Sequence, residues 1–260
     1  MPIEDCPRCN GTGWISSDRD GLAIAERCSC VEEERVENLA ERARIPINFA
    51  NSSFDTFVLP KRESNPTAHR GLADVMLAVS AYARNYPNNA KPGLLFAGAP
   101  GTGKTHLAVA VLRLLLTRGH EGIFFDYQNL LERIRAGYNE TLGTSNREAY
   151  VSALETEILL LDDLGAHRVT DWVEDTVTAI VTHRYNQRKP LIATTNLLDP
   201  EMSMSGGEKP AAAAPAYKIT LEERIGERAR SRLFEMCKVI RMPLIEDYRI
   251  RRGKDAGLYR

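Results

Sequence analysis

No stretch of the sequence approaches the roughly 18 consecutive apolar residues that a membrane helix requires. The most apolar one, Leu107 to Leu116, is interrupted by Arg113 and reads as a core helix. The first residues, Met1-Pro2-Ile3-Glu4-Asp5-Cys6, lack the basic start and apolar run of a secretory signal. A soluble, cytoplasmic protein with no membrane partner is expected. Internal repeats are absent, which excludes solenoids and propellers. Net charge is nearly absent too, at −1 over 260 residues, so the sum argues for neither nucleic acid nor lipid. Its distribution is uneven. From Arg224 onward Arg and Lys are frequent, while Glu32-Glu33-Glu34 lies near the other end. That basic stretch fits phosphate contacts and fits a merely solvated surface about equally well. Beyond residue 30 there is a single cysteine, Cys237, read as a core residue, so a disulfide framework is excluded.

The other four cysteines are clustered as Cys6-x-x-Cys9 and Cys28-x-Cys30. Two close pairs in such a chain argue for a tetrahedral zinc site rather than for disulfides or redox chemistry. In Cys6-Pro7-Arg8-Cys9-Asn10-Gly11-Thr12-Gly13, the glycines let backbone N–H groups turn toward thiolates. A structural zinc supplies on the order of 10 kcal/mol of folding free energy, which a thirty-residue segment poor in apolar residues needs. Cys-x-Cys is the rarer ligand spacing.

Three zones follow along the chain. Residues 1–45 carry the cysteines and then a charged helix from Val31 to Arg44, which Pro46 should stop. Residues 46–90 form a lead-in with an amphipathic helix from Thr67 to Tyr86, its Leu72, Val75, Met76, Val79 and Ala83 at helical spacing. Residues 91–260 alternate strand and helix. Strands are expected at Gly93 to Ala97, Gly122 to Tyr127, Glu157 to Leu161, Pro190 to Thr195 and Lys238 to Met242, and a last helix from Leu221 to Met236. Apolar strands separated by helices predict an α/β domain of three layers around a parallel sheet. The low-complexity stretch 202–216 reads as a mobile loop.

Between the first such strand and its helix lies Gly98-Ala99-Pro100-Gly101-Thr102-Gly103-Lys104-Thr105, a complete phosphate loop, with His106 beside it. Strand, Gly-rich turn and helix N-terminus together let backbone N–H groups wrap ATP phosphates. Lys104 would reach the β- and γ-phosphates and Thr105 would ligate Mg²⁺. The third strand ends in Asp162-Asp163-Leu164-Gly165, placing one carboxylate for Mg²⁺ and one for the attacking water; by position these are Asp162 and Asp163. The fourth strand ends in Thr194-Thr195-Asn196, where an amide could meet that water or the γ-phosphate. Arg224, Arg228 and Arg232 recur every four residues, a spacing that puts them along one face of the last helix. Such arginines could complete a neighbour's site or simply face solvent.

These pieces in this order resemble the AAA+ ATPases, and within them the DnaC/DnaI-type replicative helicase loaders and their IstB transposition relatives. The matching stretches are residues 98–105, Leu-Leu-Leu-Asp-Asp-Leu-Gly at 159–165, Ala-Thr-Thr-Asn at 193–196, Gly-Glu-Arg-Ala-Arg-Ser-Arg-Leu at 226–233 and the lead-in around residues 45–54. The resemblance implies a P-loop domain without a full C-terminal lid. It implies Asn196 as the sensor residue and Arg228 and Arg232 as the box of the inter-subunit arginine finger, Arg232 foremost. It further implies self-association into a spiral or ring on single-stranded DNA beside a ring helicase, with the zinc segment as docking module. Other readings are an IstB-like transposition helper, a metal-dependent P-loop kinase (for which no acceptor pocket or lid is evident) and a zinc adaptor with an inert ATPase.

Overall fold

A computed structural model describes residues 5–19, 22–137, 145–197, 199 and 219–250. The 202–216 stretch and the basic residues after 250 lie outside the described residues. The strand-rich centre is a five-stranded sheet made of β3 (Gly93–Ala97), β4 (Gly122–Asp126), β5 (Ile158–Asp162), β6 (Leu191–Thr195) and β7 (Cys237–Arg241). Every neighbouring pair runs parallel, in the order β4-β5-β6-β3-β7. Because strand side chains alternate between faces, Leu95 and Ala97 feed one apolar cluster while Leu94 and Phe96 feed the other. On the first face pack α4 (Tyr127–Ala136), α5 (Ser145–Glu155), α6 (Asp171–Asn186) and α8 (Glu227–Met236). On the second pack α2 (Pro66–Asn85) and α3 (Lys104–Leu116). The three-layer α/β class expected from the sequence is the observed one.

Local sequence explains several boundaries. Asn65 caps α2 by accepting the Ala68 N–H at 3.0 Å, with Pro66 at the first helical position where no N–H is needed. Asp126 ends β4 and caps α4, accepting from the Asn129 N–H at 2.8 Å, so the expected strand residue Tyr127 is already helical. The third strand likewise sits one residue later than expected and includes Asp162.

One helix is not as expected. The stretch from Leu221 to Met236 is two helices, α7 (Glu222–Ile225) and α8, because Gly226 adopts φ 80° and ψ 152°. A Cβ there would meet the Glu174 carboxylate, so the joint demands glycine. Arg224 therefore does not share a helix face with Arg228 and Arg232.

The N-terminal segment holds a hairpin that the sequence reading passed over. Antiparallel β1 (Trp14–Arg19) and β2 (Leu22–Arg27) pair from Trp14↔Arg27 to Arg19↔Leu22. α1 (Ser29–Arg42) follows and lies against α3. At its end the Ala43 carbonyl accepts the Phe124 N–H at 2.8 Å, and Ala43 itself is fully buried. No helix among the described residues is long and apolar enough to cross a membrane.

The start of the sheet rests on one buried cation. Arg184 on α6 has no exposed surface. Its guanidinium donates to the carbonyls of Ala153, Leu154, Thr156, Glu157 and Pro190 at 2.6–3.3 Å, tying the end of α5 to the starts of β5 and β6. Burial lowers its pKa to about 10. Replacing it by methionine leaves those carbonyls without their donor. Arg184→Met is expected to lose about 3–5 kcal/mol in urea unfolding, and a loss below about 1 kcal/mol would contradict this role.

Candidate nucleotide and metal sites

All five parallel strands point their C-terminal ends the same way, which is where ligands bind in open α/β sheets. β3 leads into the phosphate loop there. Gly101 and Gly103 have φ of 70° and 93°, and both approach other segments closely. A side chain at Gly101 would collide with the Asp247 carboxylate, and one at Gly103 with the Phe57 ring. Lys104 is buried at the head of α3 and donates to the carbonyls of Gly98 (3.0 Å) and Ala99 (2.8 Å). Burial lowers the pKa of its ammonium, while Asp163 and Asp162 act in the opposite direction.

Asp162 is the junction of the site. Its Oδ1 accepts from Thr105 Oγ1 at 2.9 Å and from Thr194 Oγ1 at 2.6 Å, joining α3, β5 and β6. Burial raises the pKa of this carboxyl and the two hydroxyls oppose the shift. Asp163 next to it adopts φ 58°. Its N–H donates to Thr194 Oγ1 at 3.0 Å, and its carboxylate accepts from Asn196 Nδ2 at 2.8 Å. One turn thus aims Asp162 back at the loop and Asp163 at the end of β6.

A cavity of about 600 Å³ opens over these groups. Its wall includes Pro100 to His106, Asp162, Asp163 and Asn196. His106 belongs to it but also turns toward the lead-in, its Nε2 lying 2.8 Å from the Ser53 carbonyl. Gly98 and Ala99 contribute carbonyls to Lys104 rather than wall. Arg228 and Arg232 are not part of the cavity. The site also takes residues to which the sequence assigns no role of their own here: Thr194, which serves both aspartates, Phe57 from the lead-in, and Tyr248 and Arg249 beyond β7. Thr194 had one signal, a hydroxyl at the end of an apolar strand beside Asn196. The others come close only through the fold.

The four clustered cysteines form a second site. Cys6, Cys9, Cys28 and Cys30 are buried, unbridged, and have sulfurs within 4.8 Å of one another. The Cys6–Cys28 and Cys9–Cys30 separations are 3.7 and 3.6 Å. A tetrahedron with Zn–S bonds of about 2.3 Å has edges of about 3.8 Å, so the spacing suits zinc and is far from a disulfide. Gly13 N–H points at Cys9 Sγ, 3.3 Å away. Cys6 has its pKa lowered to about 6, chiefly by the N–H groups of Arg8 and Cys9. The rare Cys-x-Cys spacing works because Cys28 is extended (φ −71°, ψ 140°) and Cys30 lies in the first turn of α1.

Comparison with known proteins agrees with this geometry. The chain is 25% identical to the phage-like element PBSX protein XkdC of Bacillus subtilis (strain 168) over 242 residues, covering 90% of this chain and 79% of that one. It is 24% identical over 139 residues to the replicative helicase loader DnaC of Escherichia coli (strain K12), spanning 54% of this chain and 56% of the loader. A crystal structure of the DnaC helicase loader superposes with a TM-score of 0.59 at 29% identity, over 76% of this chain and all of that one. The profile of the family described as IstB-like ATP binding protein matches residues 68–213, more than half of the sequence. With a complete phosphate loop, paired aspartates and a parallel AAA+ sheet to match, this chain belongs to the IstB-like family of P-loop ATPases.

Proposed function

We propose that this chain is an ATP-driven loader that places a ring-shaped replicative DNA helicase on single-stranded DNA, working as a self-associated assembly. The observation that carries the reading is the hydrogen-bonded constellation Thr105–Asp162–Thr194 and Asp163–Asn196 at the mouth of the phosphate loop. It provides for hydrolysis as well as binding. The likeness to DnaC loaders supplies the kind of work.

When bound, Mg·ATP supplies the scissile γ-phosphoryl bond and the divalent charge that offsets it. The loop N–H groups and the N-terminus of α3 receive the phosphates. Lys104 exchanges its two carbonyl partners for phosphate oxygens. Thr105 and Asp162 are the residues that would hold the magnesium. Asp163 accepts a hydrogen bond from the attacking water, and Asn196 keeps that carboxylate aimed. Arg228 and Arg232, lying outside their own chain's cavity, stabilise charge in the pocket of a second copy. The hairpin and four cysteines form the zinc module that docks the helicase. An IstB-like role with a transposase as partner is the second reading, favoured by the family profile itself.

Lys104→Ala is expected to lower phosphate release at least a hundredfold, to about background, while co-purification with the host replicative helicase persists. Hydrolysis at the parent rate would sink the site assignment. Because α1 packs on α3, docking is best tested without truncation, in Cys6→Ser/Cys9→Ser. Elemental analysis should find about one zinc per parent chain and none in the variant, and the variant should lose the helicase but keep its ATPase. Retention of helicase by the zinc-free variant, or capture of a transposase instead, would overturn the loader reading.

A further inference from the structure

The arginines of the 224–232 stretch are not equivalent. Arg224 donates to the His167 carbonyl at 3.1 Å, on the loop that leaves β5 just after Asp163. Arg230 makes a two-pronged ion pair with Asp199, Nε to Oδ2 and Nη2 to Oδ1, each 2.6 Å. Asp199 is 2% exposed and lies three residues beyond Asn196 on the chain leaving β6. The Phe234 ring supports the guanidinium at 4.9 Å, and Glu222 on α7 lies 3.6 Å from Nε. Arg228 is exposed and Arg232 half-buried. Neither makes an ion pair among the described residues, and Arg232 reaches only the Arg228 carbonyl, at 3.3 Å.

α8 also needs an external anchor. It begins at the Gly226 joint and so does not inherit its direction from α7. A forked guanidinium on a buried carboxylate is the contact best suited to fix a direction, since both hydrogen bonds must align at once.

We propose that Arg230, through Asp199, is a positioning residue that aims Arg228 and Arg232 at the pocket of a second copy of the chain and couples that aim to the Asn196 end of β6. Arg224 ties the same unit to the Asp163 loop. The two strands that flank the γ-phosphate position are thereby both linked to the helix that serves the neighbour. This inference rests on the self-associating ATPase reading above.

The test uses three variants. Asp199→Asn/Arg230→Gln removes both charges yet keeps a polar pair of similar shape, avoiding the lone buried carboxylate that Arg230→Met alone would leave. Arg228→Ala/Arg232→Ala lacks the presented arginines. Asp163→Asn binds nucleotide without hydrolysing it and carries an intact α8. The Asp199/Arg230 variant should bind the β,γ-methylene analogue of ATP within about threefold of the parent and hydrolyse ATP at least tenfold more slowly. Mixing it with Asp163→Asn subunits on single-stranded DNA should restore hydrolysis, since those subunits present correctly aimed arginines to its intact pocket. A merely structural defect would not be rescued in trans. The inference is overturned if that variant alone hydrolyses at the parent rate or binds the analogue poorly. It is equally overturned if its mixture stays inactive while Arg228→Ala/Arg232→Ala recovers on mixing with Asp163→Asn. Failure of the latter mixture as well would overturn the self-associating reading itself.

Discussion

Asp162 is a carboxylate at the inner end of a buried strand, and most of the site depends on how it is tolerated there. Burial alone would favour its neutral form. The hydroxyls of Thr105 and Thr194 both donate into the same oxygen, so the charged form is satisfied by one residue from the phosphate-loop helix and one from the neighbouring strand. The geometry of three elements is thereby fixed at one atom. Asp163, held by Thr194 and Asn196, takes its place from that junction. A polar network of this kind is costly when partly satisfied and rigid when complete.

The opposite end of the sheet uses the reverse arrangement. Arg184 brings a buried cation to a set of carbonyl oxygens, with no carboxylate among its hydrogen-bond partners in the described residues. Strand starts are gathered by a donor and strand ends by an acceptor. Between them the inner strands are mainly apolar, and their alternating side chains supply two separate cores.

What could be read from the sequence was what is local in it. The phosphate loop, the aspartate pair and Asn196 are each defined by short spacing and by the strand that precedes them, and the structure brings them together. The cysteine cluster joins two local pairs, and burial of all four follows from residue type. Long-range pairings were not legible. Thr194 with Asp162 and Arg230 with Asp199 join residues about thirty positions apart, and nothing in either neighbourhood names the other. Two misses did carry a local signal. Gly226 inside an otherwise helical stretch marks a break, and the Asp-Gly dipeptide at 20–21 is, as sequence, a common hairpin signal.

The close approaches at Gly101 and Gly103 concern how distant parts of the chain meet at the phosphate loop. Phe57 reaches the phosphate loop from before the sheet, and Asp247 reaches it from after the last strand. The Phe57 contact spans α2 and β3, whereas the Asp247 contact spans β4 to β7, so the second closes a much longer stretch of chain. The phosphate loop is thus bracketed by one segment from each side of the sheet-forming part of the chain. Any ligand that binds the folded cavity and not the unfolded chain would stabilise this closure by mass action, holding segments from opposite ends of the domain together as a clasp does.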